Sequence, residues 1–387
     1  MTEALQRIIR YSYYILFFLA PLILTPWNYE LFEFNKMLTV YVLTTIVTSA
    51  WLIRMILEKR IIFRQTPLDI PFGIFLIVHL IATVNSIDPH ISVWGYYGRF
   101  NGGLVSLIAY LILYYALVSN VDNRESKKTV LHMLLASLIS GFFVAVYGIA
   151  QHFGIDAHIW VQDVQNRVFS TLGQPNWLAA YLTVLIPIAG ALALYYRRAD
   201  SKFSYGDYLF GAVCVVYYLT LLYTKSRSGF LAFWIVNILF WAGAWWLTYR
   251  HEAMERFYPY AVGVNSIFLV ITLLIGSPFP QLNNLTQVFQ KAETSSSVMQ
   301  EQESSATESA INNEQSTIDQ SATNITDSGE IRKLVWQAAW DATRARPYFG
   351  WGADTFAWIF YRFKPLAHNL TSEWDFLYNK AHNEYLN

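Results

Sequence analysis

The sequence predicts an all-α polytopic membrane protein: about nine transmembrane helices, then a large extracytoplasmic loop carrying short helices. Three observations predict it. The 387 residues are 55% apolar and only 14% charged, where an average soluble domain carries roughly 25% charge, and the mean hydropathy is +0.30. The apolar residues lie in blocks close to bilayer length, a hydrocarbon core needing about 20 apolar residues per helix. Lys and Arg are unevenly shared between alternate connections, as orientation in a membrane requires.

The first block is Ile8–Thr25, preceded by Arg7 and Arg10. No small-residue cleavage site follows it, and Pro26 and Trp27 stand where one would lie, so it is predicted to be a retained helix. The next eight are Met37–Leu57, Leu68–Val84, Leu104–Ser119, Val130–Ala150, Trp177–Tyr196, Tyr208–Tyr223, Phe230–Tyr249 and Tyr258–Ile275. The third, fourth and seventh are short for a span. Peptide groups cannot go unpaired in lipid, so each block is predicted helical. With the N-terminus in the cytoplasm, fourteen Lys and Arg fall on that side and five on the other: Lys36, Arg99, Arg167, Lys225 and Arg227. An odd number of helices then places everything after about Ser277 outside the cytoplasm. Trp27, Trp94, Trp177, Trp245, Trp246 and Tyr258 fall near helix ends, at headgroup depth.

This divides the chain into a transmembrane domain (1–276), a low-complexity linker (277–330) and a loop segment (331–387). Lys291–Glu330 is Ser, Thr, Gln, Asn and Glu with almost no large apolar residue, a composition that builds no packed core. Asp327–Glu330 has the pattern of a capping box. It would open a helix from Ile331 to about Arg344, with Trp336 and Trp340 on one face and Pro347 ending it. Gly350–Gly352 makes a turn, and Asp354–Phe363 a second short helix.

Composition also excludes. Lys and Arg balance Asp and Glu at 27 each, which argues against nucleic acid as a partner. The single cysteine, Cys214, permits no intramolecular disulfide and no cysteine metal cluster. Neither a Gly-rich Walker lysine loop nor HExxH occurs, so ATP hydrolysis and zincin chemistry have no support.

Four constellations carry possible chemistry. Thr224–Gly229 links the seventh and eighth blocks and sets Lys225 and Arg227 on the cation-poor side. It reads either as a solvated turn with snorkelling side chains or as an anion site at a membrane mouth, where the planar Arg fork suits phosphate. Ser92–Gly103 holds four glycines and Arg99; it reads as an irregular turn with interfacial aromatics or as a close backbone approach. Gly173–Asn176 precedes the sixth block, with Pro175 suited to a helix first turn and free N–H groups suited to an anion. The last gathers Arg332, Trp336, Arg344, Arg346, the glycine turn and Ala381–Asn387. His382 there is a candidate proton acceptor, or an ordinary exposed loop histidine. His79 and His132 share no face or depth and read as packing residues, not a haem pair.

Together these segments resemble the O-antigen ligase and polymerase family of bacterial envelope enzymes, from about Ser92 to the last residue. Thr224–Leu231 resembles the family's Ser-Arg segment at a helix mouth. Arg332–Trp336, followed by Pro347–Gly352 and Phe356, resembles the signature of its large outer loop, and Ala381–Leu386 resembles the start of that loop's histidine motif. Gly173–Ala180 resembles another recurrent segment. The family motif and further helices run on past the point where this sequence stops, so the resemblance predicts a chain that continues beyond Asn387.

The resemblance implies a GT-C-like fold and a metal-independent, inverting glycosyltransferase with no cofactor, in the bacterial inner (plasma) membrane. Its donor would be a glycan on an undecaprenyl pyrophosphate carrier, and its acceptor a hydroxyl on lipid A-core, another glycan chain or a surface protein. It casts Arg227 as the cation on the leaving pyrophosphate and Arg332 as the second clamp, a role open also to Arg344 or Arg346. His382 would be the base, with Lys225 and Arg99 as further phosphate contacts. Polymerase and protein transferase share these motifs. A transporter would set its charges near mid-bilayer, often in inverted repeats, whereas here they gather at one face. A membrane sensor would need an output domain that the sequence lacks.

Overall fold

The computed structural model describes residues 1–27, 29–121, 126–196, 205–250, 254–279 and 328–383. Among them every regular element is helical. Each predicted block coincides with a helix, the first overrunning its end and the third starting one residue before it: α1 (Thr2–Leu19), α2 (Glu33–Glu58), α3 (Asp69–Val84), then, after the short unpredicted α4 (Pro89–Trp94), α5 (Leu104–Asn120), α6 (Ser126–His152), α7 (Pro175–Tyr196), α8 (Tyr205–Tyr223), α9 (Arg227–Arg250) and α10 (Met254–Ile275). Two more follow, α11 (Ser328–Ala345) and α12 (Phe356–Phe363).

Six of the described helices, not nine, are long and apolar enough to cross a membrane: α2, α6, α7, α8, α9 and α10. At 1.5 Å per residue, the 16 residues of α3 and 17 of α5 reach about 24 and 26 Å, short of a ~30 Å hydrocarbon core. α1 carries Glu3, Arg7 and Arg10 in its first half and stops at Leu19 rather than Thr25. Pro21 explains the stop: Ala20 is still helical, at φ −55° and ψ −42°, but proline has no N–H to donate to the next carbonyl of the ladder. α9 starts at Arg227 and α10 at Met254, each earlier than its apolar block.

The chain forms two compact units. The first comprises the described residues of Met1–Arg60 and Asn120–Thr294, the second those of Ile61–Ser119 and Ser295–Asn387. In the first, α7 is central: Leu178, Leu182, Leu185, Ala189 and Ala193 are buried along it against α6, α8 and α9. Tyr217 and Tyr218 of α8 are fully buried. Each phenol finds a partner, as a buried tyrosine needs: Tyr217 donates to the Leu138 carbonyl and Tyr218 bonds Thr272. Helices in lipid associate where small residues let backbones approach. Gly229 of α9 does this against α7, where an added Cβ would fall 2.3 Å from that of Ala179.

In the second unit, Ile331, Val335, Ala338, Ala339 and Ala342 make an i, i+4, i+7 stripe down α11. They pack on Trp351, Phe356, Phe360 and Tyr378. Asp327, the expected capping residue, lies outside the described residues, as does most of the low-complexity linker. α12 begins at Phe356, two residues later than expected.

Gly229→Ala is expected to lower the thermal midpoint of the detergent-purified protein, since overpacking costs about 1–3 kcal/mol. Gly243→Ala is the control. It has open space around it and should hold or raise the midpoint, alanine being the better helix former.

Candidate functional site

The four constellations collapse into two groups, one in each unit. In the first unit, the link from α8 to α9 is Thr224–Ser226. Ser226 caps α9: its Oγ accepts from the Gly229 amide at 3.1 Å, the usual bond from an N-cap side chain to the third helical residue. The same hydroxyl donates to Asn176 Oδ1 at 2.8 Å. Arg167 donates to that Oδ1 at 3.2 Å and to the Thr224 carbonyl at 3.1 Å. Lys225, at φ +48°, donates to Asn166. The Gly173–Asn176 and Thr224–Gly229 segments are therefore one structure, tied by Asn176 and Arg167.

That structure is braced from beneath. Asp156 accepts from Tyr147, Gln151 Nε2 and Trp160 Nε1 at 2.5, 3.0 and 2.6 Å. Burial pushes its carboxyl up, and the three donors outweigh burial and hold it below the usual range. Gln151 Oε1 in turn accepts from the Ser170 amide at 2.7 Å. Above the brace, Arg227 is exposed at the first residue of α9 and makes no hydrogen bond or ion pair among the described residues. A cation at a helix N-terminus faces the positive end of the macrodipole. An anion bound there would meet the dipole, Arg227 and Lys225 together.

In the second unit, the Ser92–Gly103 segment joins the glycine turn after α11. Asp88 caps α4 by accepting from the Ile91 amide at 3.1 Å, with Pro89 in the first turn. Ile87 N donates to the Trp351 carbonyl at 3.0 Å, Ser92 Oγ to Ala353 O at 2.9 Å, and Tyr96 N to Asp354 Oδ2 at 2.6 Å. The glycines permit this closeness. Gly352 lies at φ +109°, and a Cβ on it would sit 2.0 Å from Ser86 Oγ.

His382 stands at φ +55° on an exposed turn. The preceding Ala381 is buried, and its carbonyl accepts from Trp336 Nε1 at 3.0 Å. Trp336 is one turn along α11 from Arg332, so the indole ties the histidine turn to the arginine's helix. The imidazole meets the Tyr378 ring edge-to-face at 6.1 Å, and Tyr378 donates to the Glu373 carboxylate. Desolvation pulls the His382 pKa below its ordinary value; Arg332 adds to this, Glu373 opposes, and Arg99 and Lys380 add again. A neutral, proton-accepting imidazole at pH 7 is the consequence.

The charges of Arg332 and Arg99 therefore both reach the His382 ring. Arg344 lies twelve residues along α11 from Arg332, about 18 Å, over the Trp340 ring at 5.3 Å. Arg346 lies over Trp351 at 4.1 Å and donates to the Asn85 carbonyl at 3.4 Å. Arg227 and Lys225 belong to the other unit. Sequence reasoning missed Asn166, Asn176 and Tyr378 as partners and counted Arg167 only as one of five outer cations. Among the described residues no group of three His, Cys, Asp or Glu is placed to hold a metal ion.

Residues 210–387, just under half of the chain, match the family model described as O-antigen ligase. No curated protein and no solved structure matches the chain. The matched span takes in Lys225, Arg227, Arg332, Arg344, Arg346 and His382 and leaves out Arg99. With six helices long enough to span, the chain is an integral membrane protein with a region similar to the O-antigen ligase and polymerase type.

A ¹⁵N NMR titration of His382 should give a midpoint below ~6.5, its ordinary value. Arg332→Gln removes a repelling charge and should move that midpoint upward. A midpoint unmoved by the substitution would mean that Arg332 does not act on the imidazole.

Proposed function

We propose that this protein is a membrane glycosyltransferase of ligase type. It moves a glycan from an undecaprenyl pyrophosphate carrier to a hydroxyl of lipid A-core, or a similar acceptor, at the outer face of the bacterial inner membrane. One observation carries the reading: the span that matches O-antigen ligase contains His382, whose pKa burial and then the Arg332 charge lower.

The reaction is a single displacement. His382 takes the proton from the acceptor hydroxyl as its oxygen attacks the anomeric carbon. The carbon–oxygen bond to the carrier breaks on the opposite face, so configuration inverts, and the pyrophosphate leaves with the bond's electron pair. Fixed cations lower the barrier where that charge develops. Arg227 takes this role, with Arg332 as the second clamp and Lys225 and Arg99 as further phosphate contacts. Arg344 and Arg346, each stacked on a tryptophan, offer flat cationic surfaces to the glycan or to headgroups. Neither a metal nor a nucleotide enters the step.

The test is transfer by the full-length protein in detergent, given carrier-linked glycan and lipid A-core without ATP or divalent metal. Glycan ladders shifted onto lipid A-core are expected. Longer chains still on the carrier would replace the ligase reading with a polymerase. No product from folded protein and intact donor would overturn both and favour a protein acceptor or a transporter. Arg227→Ala should slow transfer by about 10²–10³-fold, the usual loss when one charge-stabilising donor is removed. Arg7→Ala, far out on α1, should leave the rate unchanged.

A further inference from the structure

α1 and α6 of the first unit line an open groove of about 680 Å³ that the reaction above does not use. The two helices run in the same direction. Just past the end of α1, the Pro21 carbonyl accepts from Thr171 Oγ1 at 2.7 Å. The neighbouring Ser170 amide donates to Gln151, in the last turn of α6, at 2.7 Å. The Ser170 hydroxyl also donates to the Val144 carbonyl at 2.6 Å, so both helices run towards the 170–171 turn. Midway along the groove, Tyr14 and His132 stack edge-to-face at 5.6 Å.

This register gives the groove two chemically distinct ends. One turn before the Tyr14–His132 contact, α1 contributes Arg10 and α6 contributes Lys128. Beyond it the walls are apolar: Phe18 one turn on along α1, and Ala136 and Ile139 one and two turns on along α6. A cationic mouth opening into an apolar slot between α1 and α6, the latter long enough to span, matches one molecule that the surrounding bilayer supplies: a lipid with a net negative phosphate headgroup and an acyl chain. A zwitterionic lipid would bring its own cation against Arg10 and Lys128.

The groove is not the donor's phosphate site. Lys128 stands 24 residues from His152, about 36 Å along α6, and His152 Nδ1 is bonded to the Gln165 carbonyl, next to Asn166 and Arg167. The Arg167–Lys225–Arg227 group and the Arg10–Lys128 mouth thus sit at opposite ends of the same helix.

We infer that this groove is a binding site for one acidic glycerophospholipid, its phosphate on Arg10 and Lys128 and an acyl chain between α1 and α6. Basic pockets between transmembrane helices are a recurring way of holding such headgroups.

Native mass spectrometry of the detergent-purified full-length protein, offered phosphatidylglycerol or phosphatidylcholine, tests this. One phosphatidylglycerol per chain should be retained in clear preference. The double variant Arg10→Gln, Lys128→Gln should lose about 30-fold in affinity, from roughly fivefold per cation near a membrane surface. Ile139→Trp keeps both cations, fills the slot from a largely exposed position and should also displace the lipid. Arg7→Gln with Lys127→Gln removes the same charge outside the groove and should retain it. Equal retention of the two lipids, or unchanged binding in the Arg10 and Lys128 variant, would overturn the inference. So would a second copy of the chain, rather than lipid, protecting the groove.

Discussion

A hydrocarbon core offers no partner to a free peptide N–H or C=O, and a span that exposes one loses several kcal/mol per group. Everything else in this protein follows from meeting that constraint with helices. Once the backbone is satisfied within each helix, association rests on close packing rather than on apolar burial. That is why α7 is lined by alanine and leucine, why Gly229 lets α9 approach Ala179, and why the buried Tyr217 phenol ends on the Leu138 carbonyl. The same constraint pushes chemistry out of the spans. The groups that carry charge and hydrogen-bonding capacity gather in the 163–176 and 224–229 segments of one unit and around 86–103 and 332–382 of the other.

The two groups are built by different physics. Around Arg227, positive charge accumulates where a helix already presents its positive end, which disfavours the isolated protein and favours an anion. Around His382, burial and then positive charge withhold a proton. Desolvation makes the imidazolium unfavourable, and the Arg332 and Arg99 charges add to it, so the ring is biased towards the proton-accepting form. Deeper in that unit, His368 is fully buried between Phe360 and Tyr378, with neither ring nitrogen hydrogen-bonded. Burial and the nearby Lys364 lower its pKa, with Glu373 opposing. It packs as a neutral ring beneath the tyrosine that carries His382.

What was legible in the sequence was what depends on local patterning. The nine apolar blocks are nine helices because composition and length alone decide helix in such a chain. Their bounds moved where a local signal was passed over: Pro21 ends α1 early, and Ser226 starts α9 three residues before its apolar run. α4 was missed although Asp88 and Pro89 are ordinary start signals, because six residues carry no periodicity. Arg332 and His382 were legible by residue type and by resemblance, but not their environment. The bond from Tyr96 to Asp354 spans 258 residues and that from Asn176 to Ser226 spans 50, and no spacing rule reaches so far. Three of the nine expected spans fall outside the six for a plainer reason. α3 and α5 are apolar enough but too short, and α1 spends its first turns on charge.

The rate of glycan transfer by His382→Ala, beside the unsubstituted full-length protein at pH 7 with helical content matched, tests the central claim most directly. A positioned base contributes about 10²–10⁴-fold, and a loss in that range, with carrier-linked glycan still bound, is the result this account predicts. Transfer within a few-fold of the unsubstituted protein would show that the proton leaves by another route, and the role given to His382 would be wrong.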